Sequence, residues 1–326
     1  MKKKILWLLL LAVCVVIFPL TAKETKAETE GDWEFSYRYG SGVLIDSYNG
    51  TDENVVVPEK LGGEDVVAIL NNAFSGNKTV KTVKLPSTVT EIRYEAFSGC
   101  TSLSEITIPS SVTDIGKEAF AGTKWLSDKQ KANPYVVING ILIDMSKAGT
   151  NLNIPATVKE ISCNVPKDVV SVTIPSSMTE IDTDMFADCT SLKKITIPSS
   201  VTDIGAEAFS GCTSLTEITI PSSVIHIRWK AFLGCTSLTE ITIPSSVIDI
   251  EKETFSGCTS LSKITIPSSV TNIGEEAFAG TKWLSDKQKE NPYVVINGIL
   301  IDMSKAGTNL NIPATVKEIS CDIPKN

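Results

Sequence analysis

The stretch Thr213–Cys235, TSLTEITIPSSVIHIRWKAFLGC, is one copy of a 23-residue pattern that recurs before and after it. Proline returns every 23 residues from Pro175 to Pro267, and phenylalanine keeps the same step from Phe186 to Phe278. A fixed period of about 20 to 50 residues is typical of solenoids, in which each repeat forms one coil that packs on the next. The sequence therefore predicts a chain built of stacked coils.

Each unit contains the signals for one coil. The segment Ile218-Thr219-Ile220 alternates apolar and polar residues, which predicts a short strand, and Pro221 ends it because proline cannot donate a ladder hydrogen bond. Gly234 then permits the turn into the next coil. We expect the apolar positions of the unit to point inward, and these are Leu215, Ile218, Ile220, Val224, Ile227, Ala231, Phe232 and Cys235.

The pattern LxxIxIPxxVxxIxxxAFxxC, complete in residues 192–212, resembles the leucine-rich repeats of BspA-like bacterial surface proteins, a type also described from a treponemal protein. The resemblance extends over about 260 residues. It implies a curved right-handed solenoid whose strand face is concave. It also implies an extracellular or cell-surface binding role.

We therefore predict a β-rich repeat solenoid, poor in helix, with β-hairpin insertions. The segments are a signal peptide (1–27), an N-terminal hairpin cap (28–58), leucine-rich repeats (59–120), a helix-hairpin insertion (121–163), further repeats (164–280) and a second copy of the insertion, expected to be truncated (281–326).

The N-terminus has the pattern of a secretory signal. Lys2–Lys4 precede an apolar run from Ile5 to Leu20, which is shorter than the roughly 20 residues that a membrane span needs. We expect cleavage before Glu28, or before Lys23 as the second choice, and no stable membrane span afterwards. An uncleaved anchor is the alternative.

Charge and composition restrict the possible functions. Cleavage would remove five lysines and one glutamate, so the net charge would move from −8 to −12. Nucleic-acid binding needs a basic stripe, which this composition disfavours. The single histidine, His226, has no nucleophile or carboxylate in its local pattern, and the chain has no CxxC pair for zinc. We expect no enzyme, no cofactor and no metal site.

Cysteines recur at one position of four consecutive coils, Cys189, Cys212, Cys235 and Cys258. Their separation along the stack would permit disulfides, but stacked side chains point in parallel, and seven cysteines remain after cleavage. We expect buried thiols that pack as small apolar residues.

The segment Thr259–Cys321 repeats Thr101–Cys163 with four differences, all at positions predicted to face solvent. Both copies interrupt the coils. In the first copy we predict a short helix at Trp125–Asn133, ended by Pro134. The apolar runs on either side of Gly149 then predict a hairpin within Tyr135–Pro155.

The outward residues of the predicted strands form the candidate contact surface. Threonines recur there with charged neighbours, and β-branched threonine also simply suits strands. The candidate residues are Thr107, Lys193, Lys194, Thr196, Glu217, Thr219, Glu240, Thr242, Lys263 and Thr265. The alternative contact surface is Trp125 and Trp283, although these indoles would equally pack each helix onto the coil beneath.

These features favour a secreted or cell-surface repeat protein that mediates adhesion through protein–protein or host-surface contacts. Its expected partner is an extracellular protein or a host or cell-surface macromolecule. The alternative is a spacer or targeting array for an enzyme or anchoring domain beyond residue 326.

Overall fold

The computed structural model describes residues 27–307 and 310–323. These residues form a β-solenoid of about 12 turns, with 26 short strands and two helices in the described ranges. The predicted inward set of the unit Thr213–Cys235 is buried throughout, with no member more than 8% exposed. The predicted solenoid is therefore confirmed.

Most coils have a first strand and a second strand, and equivalent strands of successive coils pair in parallel. The first strands are β4 (Asn54–Val56), β7 (Thr82–Lys84), β9 (Glu105–Thr107), β13 (Asn151–Asn153), β15 (Ser171–Thr173), β17 (Lys194–Thr196), β20 (Glu240–Thr242) and β22 (Lys263–Thr265). The second strands are β8 (Glu91–Ile92), β10 (Asp114–Ile115), β14 (Glu160–Ile161), β16 (Glu180–Ile181), β18 (Asp203–Ile204), β19 (His226–Ile227), β21 (Asp249–Ile250), β23 (Asn272–Ile273) and β26 (Glu318–Ile319).

The N-terminal segment closes the first coil with antiparallel strands β1 (Glu28–Glu30), β2 (Trp33–Tyr37) and β3 (Val43–Tyr48). A second antiparallel pair, β5 (Lys60–Leu61) and β6 (Glu64–Ile69), lies where the first repeat carries extra residues. Trp33 and Tyr48 pack toward Phe74, the first ring of the phenylalanine column, with the Tyr48 and Phe74 ring centroids 5.1 Å apart. The apolar end of the stack is covered in this way.

The third side of each regular coil is a turn built around the phenylalanine. Two residues before the ring, a non-glycine residue takes a left-handed conformation, such as Glu207 with φ 55°. The Phe209 N–H then donates to the Ala231 carbonyl of the next coil at 2.8 Å. The rings stack in a column, with Phe209 and Phe232 centroids 5.3 Å apart. Hydrogen bonds and ring stacking therefore hold this side of the solenoid together.

The insertion begins with helix α1 (Lys124–Ala132), and its duplicate begins with α2 (Lys282–Glu290). Thr123 caps α1, because its Oγ1 accepts from the Leu126 N–H at 3.1 Å. The predicted helix is confirmed. The residue at the cysteine position of the repeat is here a threonine, whose hydroxyl oxygen accepts the capping hydrogen bond, whereas the sulfur of a thiol is a weak acceptor.

The predicted hairpin is wrong in its pairing. The structure pairs β11 (Val136–Ile138) with β12 (Ile141–Asp144), and β24 (Val294–Ile296) with β25 (Ile299–Asp302). Asn139 and Gly140 both have positive φ, 52° and 92°, which is the conformation of a tight two-residue hairpin turn. The run after Gly149 instead joins the parallel ladder of first strands as β13.

The predicted strand Ile218–Ile220 is also wrong, although both isoleucines point inward as expected. Residues 217–220 make no backbone hydrogen bond to the coil before or after them. Local pattern decides which side chains point inward, whereas a strand also requires neighbouring coils to lie within hydrogen-bond distance. The row of first strands is consequently interrupted between β17 and β20.

Candidate binding surface

We use the term strand face for the exposed side chains of the first strands and of the equivalent segment 217–219. All ten residues predicted as contact residues are exposed on this face or, for Lys193, directly beside it. Parallel pairing places equivalent threonines next to one another. Thr196 lies beside Thr173, and Thr242 lies beside Thr265.

The strand face is not one continuous ladder. Thr107 belongs to the sheet of β4, β7 and β9, where its neighbour is Lys84. Thr196 belongs to the sheet of β13, β15 and β17, and Thr242 to the pair β20 and β22. Thr219 lies on the unpaired segment between these last two sheets. The structure therefore brings the predicted residues together in three paired groups and one separate segment.

Most charged side chains on the strand face make no ion pair among the described residues and are open to solvent or a partner. Lys263 Nζ lies 2.9 Å from Glu240 Oε2, but both side chains are well exposed, so the pair contributes little to stability. Lys193, Lys194 and Glu217 make no ion pair within the described residues. The surface thus presents hydroxyl groups beside uncompensated charges of both signs.

The alternative contact surface is corrected by the structure. Trp125 and Trp283 are only 6% and 7% exposed, and the Trp125 indole lies 4.8 Å from the Phe120 ring, centroid to centroid. The indoles therefore fix the helices onto the coil beneath, as the competing interpretation expected. Buried rings offer a partner almost no surface.

A second charged surface was not predicted as a site. Arg228 lies 3.3 Å from Asp203 and 3.4 Å from Glu251, at a cavity of about 360 Å³ that Trp229 also lines. Burial, assisted by the negative charge of Glu180, raises the pKa of Asp182 at this cavity. The sequence signal for this surface is the adjacent pair Arg228 and Trp229.

The stacked cysteines are free thiols and form no disulfides among the described residues. All seven described cysteines are free, and five of them are buried. Burial raises the pKa of Cys212 to about 12 and that of Cys100 to about 11. A thiol with such a pKa is almost entirely protonated at neutral pH, so these side chains are poor nucleophiles.

The described residues contain no group of three or more histidine, cysteine, aspartate or glutamate side chains that could hold a metal ion. Among the same residues, no helix has the length and apolarity to cross a membrane. The predicted signal sequence falls almost wholly on residues 1–26, which lie outside the described part of the chain.

The chain is similar to several solved bacterial leucine-rich-repeat proteins. A protein from T. pallidum is 24% identical, with a TM-score of 0.29, over 79% of this chain and 90% of that one. A cell-surface protein from Faecalibacterium prausnitzii is 21% identical, with a TM-score of 0.39, over 92% and 95% of the two chains. A protein from Eubacterium ventriosum is 20% identical, with a TM-score of 0.40, over 78% and 94%.

No curated protein sequence matches the chain. The model of the BspA type Leucine rich repeat region matches residues 54–165 and 166–285, in six copies. These ranges cover well over half of the sequence and coincide with the coils described above. The chain therefore belongs to the BspA-type leucine-rich-repeat family.

Proposed function

We propose that this protein is exported and acts as an adhesion protein outside the cell, where its strand face binds an extracellular protein or a protein on a host or cell surface. We also propose that it has no enzymatic activity of its own. Family membership supports a binding role for the repeats.

One observation carries the proposal. In each coil, the buried residues that hold the fold together are different from the exposed residues that a partner can contact. The central apolar residue is buried in seven of the eight first strands, as Ile241 is, and it is half-buried in β22. The flanking residues Glu240 and Thr242 are exposed and bond to nothing in the interior. A solenoid can vary such outward residues without loss of the stack, which is how repeat proteins acquire extended binding surfaces.

The chemistry of the strand face favours a protein partner. The eight first strands contain no aromatic side chain, so stacking against sugar rings is not available along them. Threonine hydroxyls and the charges of Lys193, Lys194 and Glu217 suit instead an extended polypeptide with polar and charged groups. Charge complementarity of this kind contributes to specificity and to the rate of encounter.

The experiment is a screen of the mature chain against immobilised extracellular-matrix proteins and glycans. Ligands found are then tested with the triple variant Thr196→Lys, Thr219→Lys and Thr242→Lys. The matched control replaces Ser199, Ser222 and Ser245 with lysine. These serines are exposed in the same coils, at the corner after the strand, so both variants gain the same charge.

We expect the threonine variant to lose binding and the serine variant to keep it. Equal binding by both variants would contradict a role for the strand face. Binding to glycans alone, with no protein captured, would contradict the proposed partner class.

A further inference from the structure

The phenylalanine turns are joined by a regular set of backbone hydrogen bonds. In the turn around Phe186, the N–H groups of Asp184, Phe186 and Asp188 donate to carbonyls of the next coil at 3.0, 2.9 and 2.7 Å. The acceptors are the carbonyls of Ala206, Ala208 and Ser210. The same three bonds leave the turns around Phe74, Phe97, Phe209, Phe232 and Phe255.

Two turns lack these acceptors, and we call their three free N–H groups the open edges. The first open edge consists of Glu118, Phe120 and Gly122, and the second of Glu276, Phe278 and Gly280. None of these six amides has a hydrogen-bond acceptor within the described residues. The cause is the insertion, since the coil that follows each of these turns carries a helix and hairpin in place of a phenylalanine turn.

The open edges have the same backbone shape as the paired turns. Glu118 and Glu276 have φ values of 59° and 56°, and Glu207 in a paired turn has 55°. Gly122 has φ 71°, and Gly211 in a paired turn has 72°. The donors are therefore already arranged as they are where they bind a neighbouring chain segment. Preorganisation of this kind lowers the cost of binding.

Two residues of each open edge line a cavity, Glu118 and Phe120 in the first and Glu276 and Phe278 in the second. The first cavity measures about 220 Å³ and has apolar walls formed by Phe120, Leu126 and Ile143. The second measures about 230 Å³ and is lined by the equivalent residues, 158 positions later. In both copies, a row of backbone donors therefore lies beside an apolar cavity where the insertion stands in place of a phenylalanine turn.

The charges around the cavities decide what can occupy them. Free N–H groups in such turns generally suit anions, but Glu118 and Asp144 line the first cavity, and Glu276 and Asp302 line the second. These carboxylates repel a negatively charged ligand. Neutral peptide carbonyls satisfy the same donors without that repulsion, and they are what the paired turns bind.

We propose that the two open edges are a duplicated docking site for a peptide segment of a partner protein that adopts the conformation of the phenylalanine turn. The segment supplies carbonyls to the free N–H groups and places one aliphatic side chain in the cavity. Addition of a chain segment to unpaired backbone groups is an established mode of peptide recognition. An aromatic ring stacked on Phe120 is excluded, since Trp125 covers the outer face of that ring.

The probe is a synthetic peptide with the sequence of residues 204–212, whose carbonyls fill this role inside the chain. It carries Phe209→Leu to suit the cavity and Cys212→Ser to prevent oxidation. Calorimetry with the mature chain should give two sites for each molecule. Absence of saturable binding would overturn the proposal.

Cavity-filling variants test the location. Ala121 and Ala279 line the two cavities, and Leu233 occupies the equivalent position of a regular turn, so the fold tolerates leucine there. Ala121→Leu should remove one peptide site, and adding Ala279→Leu should remove the other. The matched control is Ser210→Leu, at the same position of a paired turn. Two sites retained in the double variant would overturn the proposal.

Amide hydrogen exchange tests the hydrogen bonds themselves. Without peptide, the Phe120 and Phe278 amides should exchange faster than the Phe209 amide, and peptide should slow both of them. Slow exchange of Phe120 before peptide is added would show that the edge is not open. An unchanged rate after addition would show that the peptide binds elsewhere.

Discussion

The Sγ of Cys212 lies 3.1 Å from the carbonyl oxygen of Phe186 in the preceding coil and donates a hydrogen bond to it. Cys235 makes the equivalent bond to Phe209, and Cys258 to Phe232. The column of cysteines is thus a column of donors as well as of small apolar side chains. This relationship gives each of these thiols a hydrogen-bond acceptor on the backbone of the preceding coil.

We predict that the seven cysteines of the mature protein are free and react very unevenly. Under native conditions at pH 8, burial keeps Cys100, Cys189 and Cys212 protonated, since their pKa values are about 11 to 12. Burial also raises the pKa of Cys163 to about 12 and that of Cys321 to about 11. Both side chains are nevertheless only half-buried, so their greater accessibility should make them the first to be alkylated. Mass spectrometry should count seven modified thiols after unfolding without reductant. A count of one, with six cysteines oxidised, would contradict the arrangement.

A second prediction concerns the carboxyl group of Asp182. Burial and the charge of Glu180 raise its pKa above the usual 3.8. The folded protein therefore binds this proton more tightly than the unfolded chain does, so the group lowers stability as pH rises through its folded pKa. Asp182→Asn should therefore raise the free energy of unfolding at pH 7. That gain should vanish below pH 3.8.

The matched control is Asp203→Asn in the neighbouring coil. Asp203 pairs with Arg228, so its loss should lower stability at pH 7 by about 0.2 to 1 kcal/mol. Thermal unfolding at pH 7 should therefore move in opposite directions for the two variants. A lower melting temperature for Asp182→Asn would show that other groups stabilise the ionised Asp182 carboxylate in the folded protein.

A third prediction is the mature N-terminus. Lys2–Lys4, the apolar run and Ala27 favour cleavage before Glu28. N-terminal sequencing of protein recovered from the culture medium should begin at Glu28 or, as second choice, at Lys23. Extracellular protein that still begins at Met1 would show that this segment is not removed.

The sequence was sufficient for the interior of the fold because burial repeats with the period. Leu215, Val224 and Phe232 are buried as their spacing predicts. The pairing of strands between coils was harder to predict from the sequence. Residues 218–220 have the same pattern as the paired strands but form no ladder. The apolar pattern also does not distinguish a hairpin turn at Asn139 and Gly140, which the structure contains, from one at Gly149.

For the proposed contact surface, the exposure of the residues could be predicted from the sequence, but the continuity of the surface could not. Each outward threonine is exposed because it alternates with buried isoleucine, which is a local property. Whether Thr196 and Thr219 belong to one sheet depends on how the coils sit on each other. The sequence does contain a sign of the open edges. Phe120 is followed by Phe186 only after 66 residues, whereas the repeat period is 23.

We infer that the interior side chains hold the coils together and that the strand face binds the ligand. Both roles can be tested in one experiment that measures binding and thermal unfolding for the triple threonine variant and for Phe209→Ala. Phe209 is fully buried between two rings, so its truncation should cost about 3 to 5 kcal/mol. The three lysines should cost no more than about 0.5 kcal/mol each.

We predict that the triple variant unfolds near the temperature of the wild type and has lost its ligand. Phe209→Ala should unfold earlier yet bind fully at temperatures where it is still folded. A triple variant that binds like the wild type, while folded Phe209→Ala does not bind, would contradict the account.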